Sequence, residues 1–426
     1  MRIAIIGTGI AGNTVAWKLH RAHEITVFEA AEWIGGHTHT IDVDWRGRRY
    51  AVDTGFIVCN DWTYPNFLQL LEEIGVETQP STMSFSVRCE RTGLEYNGTS
   101  LNTLFAQRRN LLRPAFHRML RDIMRFNREA PKLLDALADL RTTLGDFLAR
   151  ARYGREFIEH YLTPMGAAIW STDPARLLEY PAVFFIRFFS NHGMLSIDDR
   201  PQWRVVRGGS RTYVEKLTAP FRDRIRIRAP VSSVGRVPGG VEIEAKDGTR
   251  QRFDAVFIAC HSDEALQLLH DPSAAEREVL SAIAYQANDV VLHTDTSLLP
   301  TRRRAWAAWN YHVLERDRGP VAVTYNMNTL QSLDAPDTFC VTLNRPEAID
   351  PAKVIARFTY HHPLYTSAAV AAQARRQELN GASGIYYCGA YWGHGFHEDG
   401  VVSALNAVRD FEERCADAQR SLRRLG

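Results

Sequence analysis

The chain is 426 residues long with 45% hydrophobic and 23% charged residues, a balance that excludes a disordered or fibrous protein and allows two domains or one domain with a large insertion. Lysines and arginines number 51 against 49 aspartates and glutamates, a formal net charge of +2, which excludes the concentrated basic excess of a nucleic-acid binder. The six cysteines (Cys59, Cys89, Cys260, Cys340, Cys388, Cys415) stand singly without C-x-x-C spacing, so neither a zinc site nor a redox pair is expected and the thiols read as reduced.

The apolar run after Met1 ends at Gly7, shorter than the core of a signal peptide; it predicts a buried strand over 2–6 and a cytoplasmic location. No stretch reaches the ~18 apolar residues of a membrane-spanning helix, so any membrane contact would be peripheral. Gly7-Thr8-Gly9-Ile10-Ala11-Gly12 comes next, then a helix over 10–20 and a strand over 24–28, which together predict a βαβ unit. In such a unit Gly7 permits the tight turn, Gly9 lets the backbone approach a diphosphate, and Gly12 lets the helix pack on the strand. The N–H groups around Ile10 and Ala11 then face the anion at the helix N-terminus. Glu29 stands 17 residues after Gly12, followed by Ala30, and can accept from both hydroxyls of an adenosine ribose while repelling a 2′-phosphate. NAD and FAD both meet these requirements. A second glycine pair, Gly35-Gly36, followed by His37 and Thr38, turns the chain back over the diphosphate, a device an NAD dehydrogenase does not need.

A hairpin is predicted around Arg46-Gly47, with strands over 41–45 and 48–52, leading into Asp53-Thr54-Gly55-Phe56; Thr54, Gly55 and Phe56 join the expected cofactor contacts. From about 61 to 200 the pattern is mainly helical. Within it, residues 105–128 place Arg108, Arg109, Arg113, Arg118, Arg121, Arg125 and Arg128 among Leu112, Phe116, Met119, Leu120, Ile123 and Met124. That is a basic amphipathic helix able to lie on anionic lipid, or a helix with its apolar stripe in a core and its arginines in water. The run Phe184-Phe185-Ile186-Arg187-Phe188-Phe189 fits an acyl tunnel or ordinary aromatic packing. Strands return over 203–260, and residues 384–411 close the pattern as strand, glycine-rich loop and a helix beginning at Gly400.

G-x-G-x-x-G, a strand ending in glutamate and a second glycine pair together resemble the N-terminal signature of the FAD-dependent amine oxidase superfamily of amine oxidases, phytoene-type desaturases and protoporphyrinogen oxidases. The segment Trp203-Arg204-Val205-Val206-Arg207-Gly208-Gly209-Ser210 resembles its internal glycine pair, and "YYCGAYWGHGFHEDGVVSALNA" its closing motif. Shorter marks ("DTGFIVCN", "TMSFSV", "YNMNTLQ", "GFHEDG") resemble a bacterial group of flavoproteins associated with lipid modification.

The resemblance implies an α/β fold: a Rossmann-like FAD-binding domain of the GR2 type with an inserted α+β substrate domain. The FAD-binding domain would be discontinuous, over 1–60, 203–270 and 380–426, and the substrate domain would comprise 61–202 and 271–379. FAD would be held non-covalently. Val231 would meet the adenine through backbone atoms, Gly389 would approach the ribityl chain, and the helix at Gly400 would aim the N–H groups of Val401 and Val402 at the pyrimidine end of the flavin. Two departures from the family pattern stand out besides His37, which replaces a common arginine. Ala390 stands where an acid often binds the ribityl hydroxyls, and Asp295-Thr296 stand on the segment where amine oxidases carry a lysine.

Phe396 or His397 falls where many amine oxidases place an aromatic residue against the flavin, and a histidine there can move a proton near neutral pH. Glu398 and Asp399 read either as bases or as helix N-caps, the cap being favoured for Asp399. His394, His397 and Asp399 are explained by the flavin motif without a metal. The expected function is an FAD-dependent dehydrogenation (desaturation) of an apolar substrate, such as a fatty-acyl or phospholipid-bound chain, by hydride transfer to flavin N5. Its alternatives are a flavin amine oxidase and a non-catalytic flavin- or lipid-binding partner protein. The expected contacts are a small-molecule or lipid substrate and an anionic membrane through 105–128, with no nucleic acid.

Overall fold

The computed structural model describes residues 1–136, 140–315, 319 and 321–425. Its organising element is a five-stranded parallel sheet in the order Ile225–Arg226, Glu24–Phe28, Arg2–Ile6, Ala255–Ile258, Ile385–Tyr387. Ile3, Ala4 and Ile5 have no exposed surface, because parallel strands are covered on both faces and so read as unbroken apolar runs. Alternate side chains serve opposite layers. Ala4, Val256, Ile258 and Tyr387 pack with Val241, Ile243 and Leu280 on one face, and Ile3, Ile5 and Phe257 pack with Val15, Leu19, Ala404 and Phe411 on the other. The second of these layers holds the Ile10–Leu19 helix against the long closing helix, His397–Leu425.

A second sheet has seven strands in the order Val354–Pro363, Tyr285–His293, Cys340–Leu343, Ala322–Asn326, Trp309–Val313, Phe85–Cys89, Glu95–Asn97. Two of its strands correct the helical reading of residues 61–200. Phe85–Cys89 pairs in parallel with Trp309–Val313 and buries Val87 and Cys89, with Ser86 opposite Asn310, 224 residues further along the chain. The short hairpin Thr40–Trp45/Arg48–Asp53 forms as expected around Arg46-Gly47.

The basic stretch is shorter as a helix than the sequence suggests. A 3-10 turn covers Arg108–Leu112, and the α-helix runs over Pro114–Glu129, because proline at the first helical position holds Arg113 extended. Its apolar stripe, Phe116, Met119 and Phe126, is buried in the main core, while Arg118 pairs with Glu156 and Arg125 with Asp122. Leu111, Leu112 and Met124 stay exposed on the outer side with Arg108, Arg109 and Arg121. No described helix is long and apolar enough to cross a membrane.

Candidate active site

The site is a cavity of about 740 Å³ bounded by the two sheets. At one end lies the backbone of Gly7, Thr8, Gly9, Ile10 and Ala11, joining the first strand to the first helix. Gly7 has φ of +101°, which serves the turn, and a side chain at Gly12, which lies outside the cavity wall, would strike the Gly7 carbonyl oxygen, so Gly12 serves the packing of helix on strand. A Cβ at Gly9, by contrast, would meet nothing within 4 Å. That open concavity at a helix N-terminus, with backbone donors and the positive dipole end, fits a diphosphate. Gly36 closes over it so tightly that a Cβ added there would stand 3.1 Å from Gly9 Cα.

Glu29 borders the same end and is fixed by donors from two sides. One carboxylate oxygen accepts from the Thr8 N–H (2.9 Å) and the Thr8 hydroxyl, the other from the Ala31 N–H (2.8 Å). An ionised carboxylate has about four acceptor positions, so the second oxygen still has room for a ribose hydroxyl. Thr8 and Ala31 therefore position Glu29, a role hidden in the sequence behind the glycines.

His397 opens the closing helix and also lines the cavity, stacked on Phe56 at 3.5 Å. Its Nε2 lies 3.0 Å from Thr38 Oγ1 and 2.9 Å from Tyr213 Oη, joining the glycine-pair turn, the Arg211–Thr218 helix and the closing helix. Burial, reinforced by nearby His37, holds its pKa well below the usual histidine range, and the ring is a neutral imidazole. Phe396 also lines the cavity and stacks on Phe188 at 5.0 Å. Gly389, Ala390, Thr54, Gly55 and Phe56 complete this wall together with Gly35, Gly36 and His37.

The remaining expected residues lie elsewhere. Glu398 is outside the cavity wall and accepts from Asn66 N (3.1 Å), Asn66 Nδ2 (2.6 Å) and Phe67 N (2.9 Å), so it caps the Pro65–Glu73 helix. The closing helix starts at His397 rather than Gly400, which leaves Val401 and Val402 inside it with their N–H groups in the helical ladder. The N–H groups left free of helical partners are those of its first turn, from His397. Gly400 packs on Ile10, Val401 is buried in a side cluster, and Val402 is 36% exposed. Ala30 is exposed, and Val231, buried at the head of the Val231–Val237 strand, is outside the cavity wall. Asp399 accepts from the Phe396 N–H at 2.9 Å as the N-cap partner of the closing helix, and burial pushes its pKa up to about 7. No group of three or more His, Cys, Asp or Glu able to hold a metal exists among the described residues.

Asp53 carries weight that the sequence did not reveal. It has no exposed surface and accepts from Thr40 Oγ1 (2.5 Å), Ser210 N (2.9 Å) and Gln331 Nε2 (3.0 Å), tying the hairpin, the internal glycine pair and the seven-stranded side together. Burial pushes its pKa up to about 6.

The profile of the family described as flavin containing amine oxidoreductase matches residues 10–327. The chain belongs to this family. Like other flavin-containing amine oxidoreductases it is an FAD-dependent oxidoreductase, and the glycine cradle, Glu29 and the wall around His397 are the residues that could hold the cofactor. Solved structures share the fold over nearly their whole length. A CLA-producing fatty acid isomerase from P. acnes is 18% identical with a TM-score of 0.70, covering 96% of this chain and 98% of its own. A putrescine oxidase bound to putrescine is 14% identical (TM-score 0.70; 97% and 99% covered), and the cyclohexylamine oxidase of Brevibacterium oxydans IH-35A is 16% identical (0.68; 97% and 99%). No curated protein sequence matches the chain.

Proposed function

We propose that this flavoprotein dehydrogenates an apolar substrate, of the fatty-acyl or phospholipid-chain class, leaving a carbon–carbon double bond. The observation that carries the reading is the character of the cavity beyond the cofactor residues. Its wall there is built from side chains such as Met83, Met165, Ile169, Phe188, Val290 and Leu343. Among the described residues the carboxylates lining the cavity are Glu29 and Glu264, both near the glycine cradle, and no lysine lines it. Lys353 instead bonds Asp295 at 3.2 Å, outside the wall. A cationic amine would find no countercharge among these apolar side chains, whereas an alkyl chain would gain roughly 25 cal/mol for each Å² removed from water.

The bound flavin supplies the hydride acceptor. The protein's part is to position the chain, exclude water and hold the ring. Phe188 and Phe396 form an aromatic wall, and His397 acts as a positioning residue, since its Nε2 is shared by two hydroxyls. Cys260 lines the cavity, but burial pushes its thiol well above the usual range, which supports non-covalent attachment. The partition into an FAD domain (1–60, 203–270, 380–426) and a substrate domain (61–202, 271–379) belongs to the same proposal.

Amine oxidation is the second reading, favoured by the family match. Anaerobic titration separates the two: loss of the oxidised flavin absorbance with acyl lipids and not with mono-, di- and polyamines is expected. Bleaching by amines alone overturns the proposal, and vesicle binding with no bleaching by either class leaves a non-catalytic lipid-binding partner.

A further inference from the structure

Three histidines from separate elements meet at the cofactor end of the cavity. His37 follows the glycine pair, His261 precedes the Ser262–Leu268 helix, and His362 sits near the end of the Val354–Pro363 strand; all three line the wall. The His37 ring centroid is 6.0 Å from that of His261 and 5.4 Å from that of His362. His361 adds a fourth ring, 6.3 Å from His261. Because Gly36 lies directly over Gly9, these rings stand beside the loop that fits a diphosphate.

The charge balance there is unusual. Arg200 is the one lysine or arginine among the described lining residues, and it belongs to a different segment of the wall, with Pro201, Gln202 and Trp203. A diphosphate brings two negative charges into the enclosure, and a helix N-terminus supplies only about half a positive charge. The His37 ring bonds the backbone of His361, while its Nε2 is buried with no partner. His362 accepts from Asn288 Nδ2 through Nδ1 at 3.0 Å, which leaves its proton on Nε2 as a ready donor in the neutral state. His37 gains a second donor only by taking up a proton.

We propose that His37 takes up one proton from solvent at Nε2 when FAD binds, and that this imidazolium, aided by the Nε2–H of neutral His362, balances the diphosphate. The inference rests on FAD occupying the glycine cradle and adds a pH-dependent grip to it. The groups that face His37 are His261, His361, His362 and His397, which oppose the proton when charged; Glu29 and Glu264 line the same cavity, and negative charge there favours it. Tyr360, 5.2 Å away, has its hydroxyl engaged with His39 and Thr54 and stays protonated, as does Cys260. In the protein alone burial holds His37 at about 4, so at pH 6.5 it is neutral before binding and charged afterwards.

The test is calorimetric titration of the full-length, flavin-stripped protein with FAD at pH 6.5 in buffers of different ionisation enthalpy, beside H37R and H37Q. About one proton taken up per FAD is expected for the wild type and none for either variant, with the dissociation constant weakening about tenfold per pH unit up to the pKa of the complex and independent of pH in H37R. Flavin release from the holoprotein, followed by its fluorescence, gives the same comparison if stripping unfolds the chain: release should quicken with pH in the wild type and stay level in H37R. No proton uptake by the wild type, or equal uptake by H37R, overturns the proposal while leaving FAD binding intact. A protein that takes up no FAD at any pH overturns the cofactor assignment instead.

Discussion

The Glu398 carboxylate reaches away from its neighbour His397 and closes the N-terminus of a helix much earlier in the chain, with Asn66, 332 residues before it, as its main partner at 2.6 Å. A residue with that duty should affect stability and not chemistry. E398A is expected to cost about 1–2 kcal/mol in urea unfolding, the worth of a helix cap, with turnover per bound flavin unchanged. A hundredfold fall in turnover at full flavin content would restore it as a base.

Asp399, the next residue, carries a pKa pushed up to about 7 from the ordinary 3.8 by burial. The unfolded chain releases this proton first as pH rises. The stabilising contribution is therefore complete below about pH 4 and is lost as pH rises through about 7, with a slope of up to about 1.4 kcal/mol per pH unit. Asp53 shifts in the same direction, so the comparison must be differential. D399N should gain stability relative to the wild type as pH rises from about 4.5 to about 8, measured from urea midpoints; a constant difference across that range would refute the assignment.

The glycines of the first turn separate folding from cofactor capture. Gly9 has φ of −62° and ψ of 177°, which alanine tolerates, and its missing Cβ faces open space. G9A should fold with an ordinary melting temperature and retain less than about a tenth of the flavin, because the methyl group occupies the approach of the diphosphate. G12A should fail to fold, since its Cβ meets the Gly7 carbonyl. Soluble yield and flavin-to-protein absorbance ratio decide both.

Membrane contact through residues 105–128 is proposed to rest on Leu111 and Leu112, which are 49% and 88% exposed beside arginines. The double variant L111D/L112D should lose at least about tenfold in affinity for vesicles containing phosphatidylglycerol, read by co-flotation, while keeping its flavin. Unchanged flotation would move the contact elsewhere.

The parallel sheet, the glycine turn and Glu29 are legible in the sequence because their determinants are local: buried apolar runs, positive φ and one carboxylate at fixed spacing. Glu398 cannot be placed that way. Its identity invites a catalytic role, and only the fold shows Asn66 and Phe67 taking both oxygens. Gly400 resembles a helix boundary and so draws the start of the closing helix too late, while the true N-cap pair, Phe396 with Asp399, contains no conventional capping residue at the first position. The histidine cluster is hidden for a third reason. His37, His261 and His362 share no segment, although a histidine soon after the Ala255–Ile258 strand and a His-His pair at a strand end are visible signals.

The order of strands in the parallel sheet has a bearing on biosynthesis. Its centre is laid down with Arg2–Ile6, but the neighbour on one side arrives only at Ala255 and the outermost strand only at Ile385. An emerging polypeptide must therefore carry an unsealed, strongly apolar edge through most of translation, and nothing can lock the nucleotide in place until the closing helix has left the ribosome.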